Sequence, residues 1–483
     1  MHSGQPMHKK DSADENRFRV SRRSVVGGLG SVVAWTIVPR HVLGGIGYIA
    51  PSEKITLAGI GTGGQGIQNL AIFAEFPEIQ IIAVCDPERE REGYLSWNWA
   101  QGKETRTAGR EPARRMVEEH YAAQKQSGRW KGCTAYADYR ELLEKEDVDA
   151  VMIASPDHTH AVITMAALKK GKHVYCEKPL TWSVYEARQV TEMARKMKVA
   201  TQLGNQGQAS EEARLVQEYI LDGAIGQVRE VHIWSGPRFW PYPTWEGRPK
   251  ETPPVPEGLD WDLWLGPAPY RPYHPCYHPW TWRNWWDFGT GLIGDLWCHK
   301  VSTVFKALKL TYPSSVEASA TKWDRDNPEQ YPLGVIARYE FPPRADMPPL
   351  VLWWYDGGLK PPRPKDLEPG RPMGDVIYIG EKGTLMNHRL IPEEKMKAYG
   401  RPPRRLPRSP GHHKEWIDAI RGGPPAGSNF VDHGGLLTEA GLLANVALRT
   451  DRKLYWNGPE LKFINDEAAN QYLHRPYRDG WSL

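Results

Sequence analysis

The 483-residue sequence predicts an α/β domain built on a doubly wound parallel sheet, followed by an α+β domain with a mainly antiparallel open sheet. Strand-like and helix-like segments alternate between residues 54 and 180, and the unbroken apolar run at 148–154 is typical of a buried parallel strand. Farther along, strand-like segments at 316–322, 334–341, 350–354 and 375–379 follow one another without helices between them. We therefore expect domains at 54–180 and 181–450, and a C-terminal extension at 451–483.

The first 45 residues have the order of features of an export signal followed by a linker. A polar stretch precedes Arg22 and Arg23, and a mildly apolar run then extends to Val38 before Pro39. The apolar run is too short to span a bilayer comfortably, so no membrane span is expected in the mature protein. The segment resembles a twin-arginine signal, although Val25 and Val26 stand where Phe-Leu is more usual. We expect export to the periplasm; the alternative is a basic patch on a flexible tail.

A glycine-rich turn follows the first predicted strand of the globular part. The strand at 54–60 leads into this turn, a helix at 67–74 and a second strand at 79–85. Gly61 suits the tight turn, Gly63 permits close approach of a pyrophosphate, and Gly66 permits close packing of helix and strand. Asp86 comes 20 residues after Gly66, where a carboxylate accepts hydrogen bonds from ribose hydroxyls. The predicted cofactor-binding residues here are Gly61, Gly63, Gly64, Gln65, Gly66 and Asp86.

This arrangement predicts a Rossmann-type domain that binds a dinucleotide, since the turn stands between a strand and a helix as the mechanism requires. A carboxylate at Asp86 repels a 2′-phosphate, so NAD is favoured and NADP is less expected. The alternative is that the glycines only shape a tight backbone turn and bind no cofactor.

The second half of the first domain repeats the alternation after an insertion at 88–132, whose role the sequence does not reveal. The insertion contains an amphipathic helix at 112–125. The expected elements that follow are a strand at 148–154, a turn at 155–160, a helix at 161–170 and a strand at 173–176. Glu177 and Lys178 then stand at the carboxyl end of a parallel strand, the edge where open α/β sheets bind their ligands.

These motifs together resemble the glucose-fructose oxidoreductase / inositol dehydrogenase (Gfo/Idh/MocA) superfamily. They are the glycine-rich turn, Cys85-Asp86-Pro87, Ser155-Pro-Asp-His-Thr-His160 and Glu177-Lys178-Pro179. The resemblance implies that Lys178 lies beside the nicotinamide and the substrate hydroxyl, and that Pro179 follows it in a constrained, often cis, linkage. Further cofactor contacts are expected at Ser155, Pro156, His160, Glu177 and Lys178. A surface lysine beside a proline is the alternative for Lys178.

The second domain begins with a predicted helix at 182–196, a strand at 199–203, a helix at 211–221 and a strand at 228–235. Ten of the 21 tryptophans and 12 of the 41 prolines lie at 234–297, so we expect substrate specificity to reside there. A tryptophan face can contact the C–H face of a sugar ring, while most of the ten are expected to pack the loop. The candidate substrate-binding residues are Asn205, Gln206, Arg283, Trp285 and Trp286. Two further helices are expected at 412–421 and 436–450.

Asp295 and His299 lie four residues apart on a predicted helix, so both side chains project from one face. The resemblance gives His299 as proton acceptor and Asp295 as its orienting partner, which makes Lys178, Asp295 and His299 the predicted catalytic residues. A solvent-facing Asp/His pair is the alternative. No metal is expected: Pro275 and Pro279 interrupt the metal-capable residues near 274–278, and no fourth ligand is evident.

Amino-acid composition limits the classes of binding partner that we expect. The net charge of +4 is the small difference between 62 basic and 58 acidic residues, which gives no reason to expect nucleic acid. Five cysteines without a CxxC pair indicate neither a disulfide framework nor a zinc ribbon. We expect a small carbohydrate as substrate and, from the resemblance, a homo-oligomer formed through the open sheet.

Three functions remain open from the sequence. The first is an NAD(P)-dependent oxidoreductase that transfers a hydride between the carbinol carbon of a sugar or polyol and nicotinamide. The second is a glycoside hydrolase that oxidises a sugar transiently with retained NAD, a reaction that suits a compartment without soluble NAD. The third, a carbohydrate-binding or scaffold protein, is disfavoured because the predicted cofactor and catalytic residues are all present.

Overall fold

The computed structural model describes residues 49–95, 105–125, 128–235, 247–321 and 329–483. The predicted export signal lies outside the described residues. Residues 52–483 form one compact unit.

A six-stranded parallel sheet forms the centre of the first domain. In chain order its strands are β1 (Ile55–Ile60), β2 (Ile79–Cys85), β5 (Thr134–Tyr136), β6 (Ala150–Ile153), β7 (His173–Glu177) and β8 (Thr201–Gly204). Their spatial order is β5-β2-β1-β6-β7-β8, and every pairing is parallel. All carboxyl ends therefore meet at one edge, which brings Asp86 and Lys178 to the same side of the sheet. Strand β8 extends this sheet beyond residue 180.

Helices cover this sheet as a doubly wound fold requires. They are α1 (Gly64–Ala74), α2 (Arg110–Ala123), α3 (Tyr139–Lys145), α4 (Asp157–Lys169) and α5 (Val184–Met197). The expectation of a turn over 155–160 was wrong in part, because α4 already begins at Asp157, directly after Pro156. Helix α5 starts at a complete capping box, in which Ser183 and Glu186 exchange side-chain to backbone hydrogen bonds.

The insertion forms a hairpin as well as the predicted helix. Strands β3 (Arg91–Leu95) and β4 (Thr105–Ala108) pair antiparallel, and α2 follows them. Tyr94 of β3 is buried, and its ring would lie 2.9 Å from a Cβ added at Gly63. The hairpin therefore packs directly against the glycine-rich turn.

A nine-stranded mixed sheet forms the second domain. Its strands are β9 (Val228–Trp234), β10 (Ser315–Ala320), β11 (Val335–Phe341), β12 (Leu350–Tyr355), β13 (Val376–Gly380), β14 (Thr384–Met386), β15 (Arg389–Ile391), β16 (Leu454–Asn457) and β17 (Lys462–Phe463). The order is β15-β14-β13-β9-β12-β11-β10-β16-β17, and only β9 and β12 pair in parallel. The predicted fold class, a Rossmann-type domain followed by a mainly antiparallel open sheet, is confirmed.

The helices of the second domain are α6 (Glu211–Leu221), α7 (Trp261–Leu265), α8 (Gly291–Lys300), α9 (Ser302–Ala307), α10 (Glu393–Tyr399), α11 (His412–Ile420) and α12 (Gly435–Thr450). Helix α8 carries both Asp295 and His299, and α12 packs against α5, α8 and β10. Within the described ranges, no helix has the length and apolar character needed to cross a membrane.

Candidate active site

The glycine-rich turn forms one wall of a deep pocket with a volume of about 920 Å³, open solvent included. Gly61 has a φ of +83°, and a Cβ there would lie 2.3 Å from the Ser155 backbone nitrogen. A Cβ on Gly66 would lie 1.9 Å from the Gly61 carbonyl oxygen. Both positions therefore exclude side chains, as close packing of β1, α1 and a pyrophosphate requires. The predicted residues lining this pocket are Gly61, Gly63, Gly64, Gln65, Asp86, Ser155 and Pro156.

Asp86 lies at the carboxyl end of β2 and is 7% exposed. The Thr62 amide donates to its Oδ2 at 2.7 Å, and the Glu88 amide donates to its Oδ1 at 2.8 Å. Burial raises the pKa of Asp86 to about 6, and these two amides oppose that rise. The carboxylate is thus held in place at the wall of the pocket, where it can accept from ribose hydroxyls. The pocket fits NAD.

Several walls of this pocket come from segments that carry no cofactor motif. Tyr94 and Leu95 come from the inserted hairpin, Trp264 from α7, and Trp481 from the C-terminal extension. The insertion therefore has a place in the fold: it closes one side of the cofactor pocket. Further lining residues that the sequence did not indicate are Asp138, Tyr139, Leu263, Trp280 and Trp282.

Lys178, Asp295 and His299 line a second cleft of about 1400 Å³, open solvent included. The cleft adjoins the cofactor pocket, and the two share the lining residues Gln65, Ala154, Ser155, Trp282 and Arg283. The Lys178 ammonium donates to Asp295 Oδ1 at 2.5 Å. The structure thus brings together the residue that follows β7 and a residue of α8, which lie more than 100 positions apart in the chain. Asp295 accepts a hydrogen bond from Lys178, and its predicted role as the orienting partner of His299 stays a prediction.

The protonation states of Lys178, Asp295 and His299 are set by burial and by the ion pair between Lys178 and Asp295. Burial raises the pKa of Asp295, but the nearby cations of Lys178 and Arg283 outweigh it and hold that pKa at about 2. Burial lowers the pKa of Lys178, but the carboxylates of Asp295 and Glu177 hold it above its usual value. Burial and the Lys178 charge lower the pKa of His299 to about 3. At neutral pH the cleft therefore contains an ammonium donor and a neutral imidazole that can accept a proton.

Glu177 and His160 hold the strand end that carries Lys178. Glu177 Oε1 accepts from Asn69 and Gln206, both at 2.9 Å. The ring nitrogens of His160 lie 2.6 Å from the Pro179 carbonyl oxygen and 2.8 Å from that of Ser155. Glu177 and His160 also line the cleft. The Lys178–Pro179 bond is cis, as the resemblance implied.

Of the candidate substrate residues, only Arg283 and Gln206 line the cleft. Trp285 is fully buried in an aromatic cluster and donates from its indole to the Cys276 carbonyl oxygen. The Asn205 amide donates to the Cys298 carbonyl oxygen, and Trp286 packs on Tyr331 in a separate small pocket. The structure therefore places Asn205, Trp285 and Trp286 in the packing of the domain. Among the described tryptophans of this loop, Trp282 borders both cavities.

Two other features lie near the site. Asp157, predicted to lie in a turn, is buried at the start of α4, accepts from the Thr290 hydroxyl at 2.5 Å, and lines the cleft. In the metal-capable segment, the His274 ring bonds the Cys276 amide and His278 lies 3.1 Å from the Tyr94 hydroxyl. In the part of the chain that the structure describes, no three metal-ligating side chains form a group suited to a metal ion.

Comparison with known families agrees with this architecture. Residues 55–205 match an oxidoreductase family with an NAD-binding Rossmann fold, and residues 210–339 match the C-terminal alpha/beta domain of the same family. Together the two matches cover more than half of the chain. The chain belongs to the Gfo/Idh/MocA oxidoreductase family. The predicted resemblance is confirmed, and NAD is the cofactor that its Rossmann domain binds.

Similar proteins differ in their recorded activities. The chain is 32% identical over 92 residues to levoglucosan dehydrogenase of Pseudarthrobacter phenanthrenivorans, a match that spans 19% of this chain and 24% of that protein. It is 33% identical over 101 residues to myo-inositol 2-dehydrogenase of Thermotoga maritima, covering 21% and 30% of the two chains. It is 25% identical over 184 residues to alpha-N-acetylgalactosaminidase of Shewanella oneidensis, covering 38% and 35%.

These matches extend over less than half of each of these relatives. A solved structure covers more of the fold: the WlbA dehydrogenase from Bordetella pertussis, crystallised with NADH and UDP-GlcNAcA, superposes with a TM-score of 0.53. That match is 15% identical and covers 84% of this chain and 99% of the other. It supports the shared two-domain fold.

Proposed function

We propose that this protein is an NAD-dependent oxidoreductase that acts on a sugar or a sugar-like polyol. The observation that carries the proposal is the single cleft in which Lys178, Asp295 and His299 meet beside the cofactor pocket. Family membership and the similarity to two dehydrogenases of a sugar derivative and a polyol support the same reaction class.

Gly61, Gly63 and Asp86 of the cofactor pocket would hold NAD, which would supply the hydride acceptor for the carbinol carbon. Burial depresses the pKa of His299, so its ring is neutral at physiological pH, which is the form that a proton acceptor for the substrate hydroxyl requires. Lys178 stays cationic beside Asp295 and stabilises negative charge that develops on the substrate oxygen. Arg283 and Gln206 are placed along the same cleft to orient further hydroxyls.

The test is formation of NADH with a panel of polyols, free sugars and anhydrosugars. Lys178→Ala and His299→Ala should each lower turnover by about 10²- to 10⁴-fold, the usual contribution of a general acid or base, while NAD remains bound. His232→Ala is the matched control, because His232 lies on the second sheet and bonds the Tyr355 hydroxyl outside the cleft. Full activity of Lys178→Ala and His299→Ala would refute the assignment.

A second function has its own support. The similarity to alpha-N-acetylgalactosaminidase, and the 28% identity over 177 residues to a glycosyl hydrolase family 109 protein of Saccharopolyspora erythraea, fit hydrolysis through transient oxidation with retained NAD. Release of sugar from p-nitrophenyl glycosides without added NAD and without net NADH would favour this reaction over the first.

The proposal includes where the protein works. Residues 21–38 have the order of a twin-arginine signal, so we place the mature protein in the periplasm, folded around its cofactor before export. Fusion of residues 1–45 to a reporter that needs this route should export the reporter, and Arg22→Lys/Arg23→Lys should abolish that export. The homo-oligomer implied by the family would use the open face of the second sheet.

A further inference from the structure

The C-terminal extension returns from the second domain to the cofactor pocket of the first. After β16 and β17, residues 474–483 run along α7 and reach α3. Its last aromatic residue, Trp481, is half-buried and lines the pocket together with Asp86, Asp138 and Tyr139. No cofactor motif includes this segment, and the reaction proposed above does not use it.

Trp481 lines the same pocket as Asp86, at the end where we expect the adenosine half of NAD. Asp86 marks this end, since a carboxylate at the end of the second strand accepts from the ribose of adenosine. The Asp86 amide donates to the Tyr136 carbonyl oxygen at 3.0 Å, which joins the ends of β2 and β5. Tyr139 follows β5, and its ring centroid lies 6.2 Å from that of Trp481. The reacting groups Lys178 and His299 line the other cavity.

Polar contacts fix the path of this segment. Arg475 donates to the Asp287 carbonyl oxygen at 2.6 Å, and the Tyr477 hydroxyl donates to Glu186 at 2.5 Å. Arg478 donates to the carbonyl oxygens of Asp262 at 2.8 Å and Gly266 at 3.1 Å, at the two ends of α7. These contacts anchor residues 475–478, which directly precede Trp481 in the chain.

The indole of Trp481 is also in contact with a cation. The Arg140 guanidinium lies 4.8 Å from the Trp481 ring centroid, and that guanidinium is paired with Asp138 at 2.7 Å. Asp138 in turn caps the start of α3. One side of the ring is therefore covered by an oriented cation, while the residue still borders the pocket.

We propose that Trp481 is a cofactor-binding residue and that residues 474–483 act as a clamp on the adenosine half of NAD. An adenine ring has flat aromatic faces, and aromatic side chains bind bases by stacking on such faces. The anchoring of the segment by Arg475, Tyr477 and Arg478 means that little freedom is lost when the cofactor binds. The clamp slows NAD dissociation as well as strengthening binding.

The inference rests on the NAD cofactor of the proposed function but not on its substrate. The test is calorimetry on protein stripped of cofactor, with NAD and with nicotinamide mononucleotide, which lacks the adenosine half. Trp481→Ala should weaken NAD binding by about 5- to 100-fold, the range for loss of one base-stacking ring. Binding of the mononucleotide should not change, and Trp481→Phe should restore most of the NAD affinity.

Two further variants make the result interpretable. Tyr455→Ala removes an aromatic ring from the same extension that is 44% exposed and lies on β16, so NAD binding should stay as in the wild type. Arg478→Ala keeps the indole but loosens its anchor, so NAD should dissociate several-fold faster, measured by stopped-flow displacement.

Wild-type NAD affinity in Trp481→Ala would overturn the proposal, and so would an equal loss for NAD and the mononucleotide, which would indicate a distorted pocket. A wild-type protein that binds NAD through Trp481 but oxidises no sugar would leave this inference standing and remove the proposed function.

Discussion

The buried ion pair between Lys178 and Asp295 makes a quantitative prediction. The two charges are 2.5 Å apart, and their side chains are only 16% and 9% exposed. At an effective dielectric constant of 20, their attraction is about 7 kcal/mol, and it offsets a desolvation cost of several kcal/mol for each ion. Asp295→Asn removes the attraction and leaves the ammonium buried.

The cost of that substitution has an upper limit. Deprotonating a lysine of ordinary pKa at pH 7 costs about 4.6 kcal/mol. In the absence of the Asp295 carboxylate, Lys178 would therefore become neutral before the loss of folding free energy exceeded this value. We therefore expect Asp295→Asn to lower the free energy of unfolding at pH 7 by about 3 to 4.5 kcal/mol. In a double-mutant cycle with Lys178→Met, the coupling energy should be about 2 to 4 kcal/mol.

The stability of Asp295→Asn should also change with pH in a definite direction. In Asp295→Asn the native state binds fewer protons than the unfolded state, so its stability should rise from pH 7 towards pH 10. In the wild type the pKa of Asp295 is held at about 2 and that of Lys178 is raised, so the pair contributes a constant amount over the same interval. Urea unfolding of the four proteins at pH 7, 8 and 9 measures both effects.

An exposed lysine–glutamate ion pair is the matched control. Lys145 and Glu141 are 2.6 Å apart on α3, with side chains 61% and 47% exposed. Their coupling energy should be about 0.3 to 0.5 kcal/mol, because water already solvates both charges. If the Lys178–Asp295 cycle gave a value in that range, or if Asp295→Asn showed no rise in stability with pH, the argument from burial would be wrong.

Two other predictions concern single residues. NAD affinity should fall about tenfold per pH unit below pH 6, because burial raises the pKa of Asp86 to about 6 and only the ionised carboxylate accepts two ribose hydrogen bonds. Asp86→Asn should bind NAD more weakly and without this dependence in calorimetry, whereas a wild-type affinity that is flat from pH 7 to 5 would contradict the assignment. Trp285→Ala should lower the free energy of unfolding by about 3 to 5 kcal/mol, since the indole is fully buried. Tyr270→Ala, at a side chain that is 66% exposed, should change it by less than about 0.5 kcal/mol, and equal losses in urea titrations would contradict the packing role.

The parts of the fold that sequence reasoning recovered depend on local pattern. Gly61 and Gly66 follow from the steric needs of a strand–turn–helix unit, and Asp86 follows from its spacing after that unit, which suits a carboxylate that accepts from ribose. Asp295 and His299 follow from the helical repeat, which places residues four positions apart on one face. Each inference used residues close together in the chain.

The rest of the site depends on contacts between distant segments. Lys178 and Asp295 are 117 positions apart, and no local pattern in either strand or helix indicates their pairing. The Trp-rich loop shows the same limit: a 3-10 turn at Thr281–Asn284 places Trp282 at the cavities and Trp285 in the aromatic cluster. Sequence composition located the loop, but the direction of each ring depends on that turn.

The C-terminal clamp bears on the choice between the two candidate reactions. An oxidoreductase without a second substrate must release NADH after every turnover, so a clamp on the adenosine half slows the step that often limits such enzymes. A hydrolase that reduces its own intermediate returns NAD to its starting state and loses nothing by holding it. Retention of NAD by Trp481 would therefore slow the oxidoreductase and suit the hydrolase. Comparing the rate of NAD dissociation with the rate of sugar turnover distinguishes the two reactions. A dissociation rate far below turnover requires that the cofactor be regenerated in place, either by a second sugar or by a reaction with no net redox change.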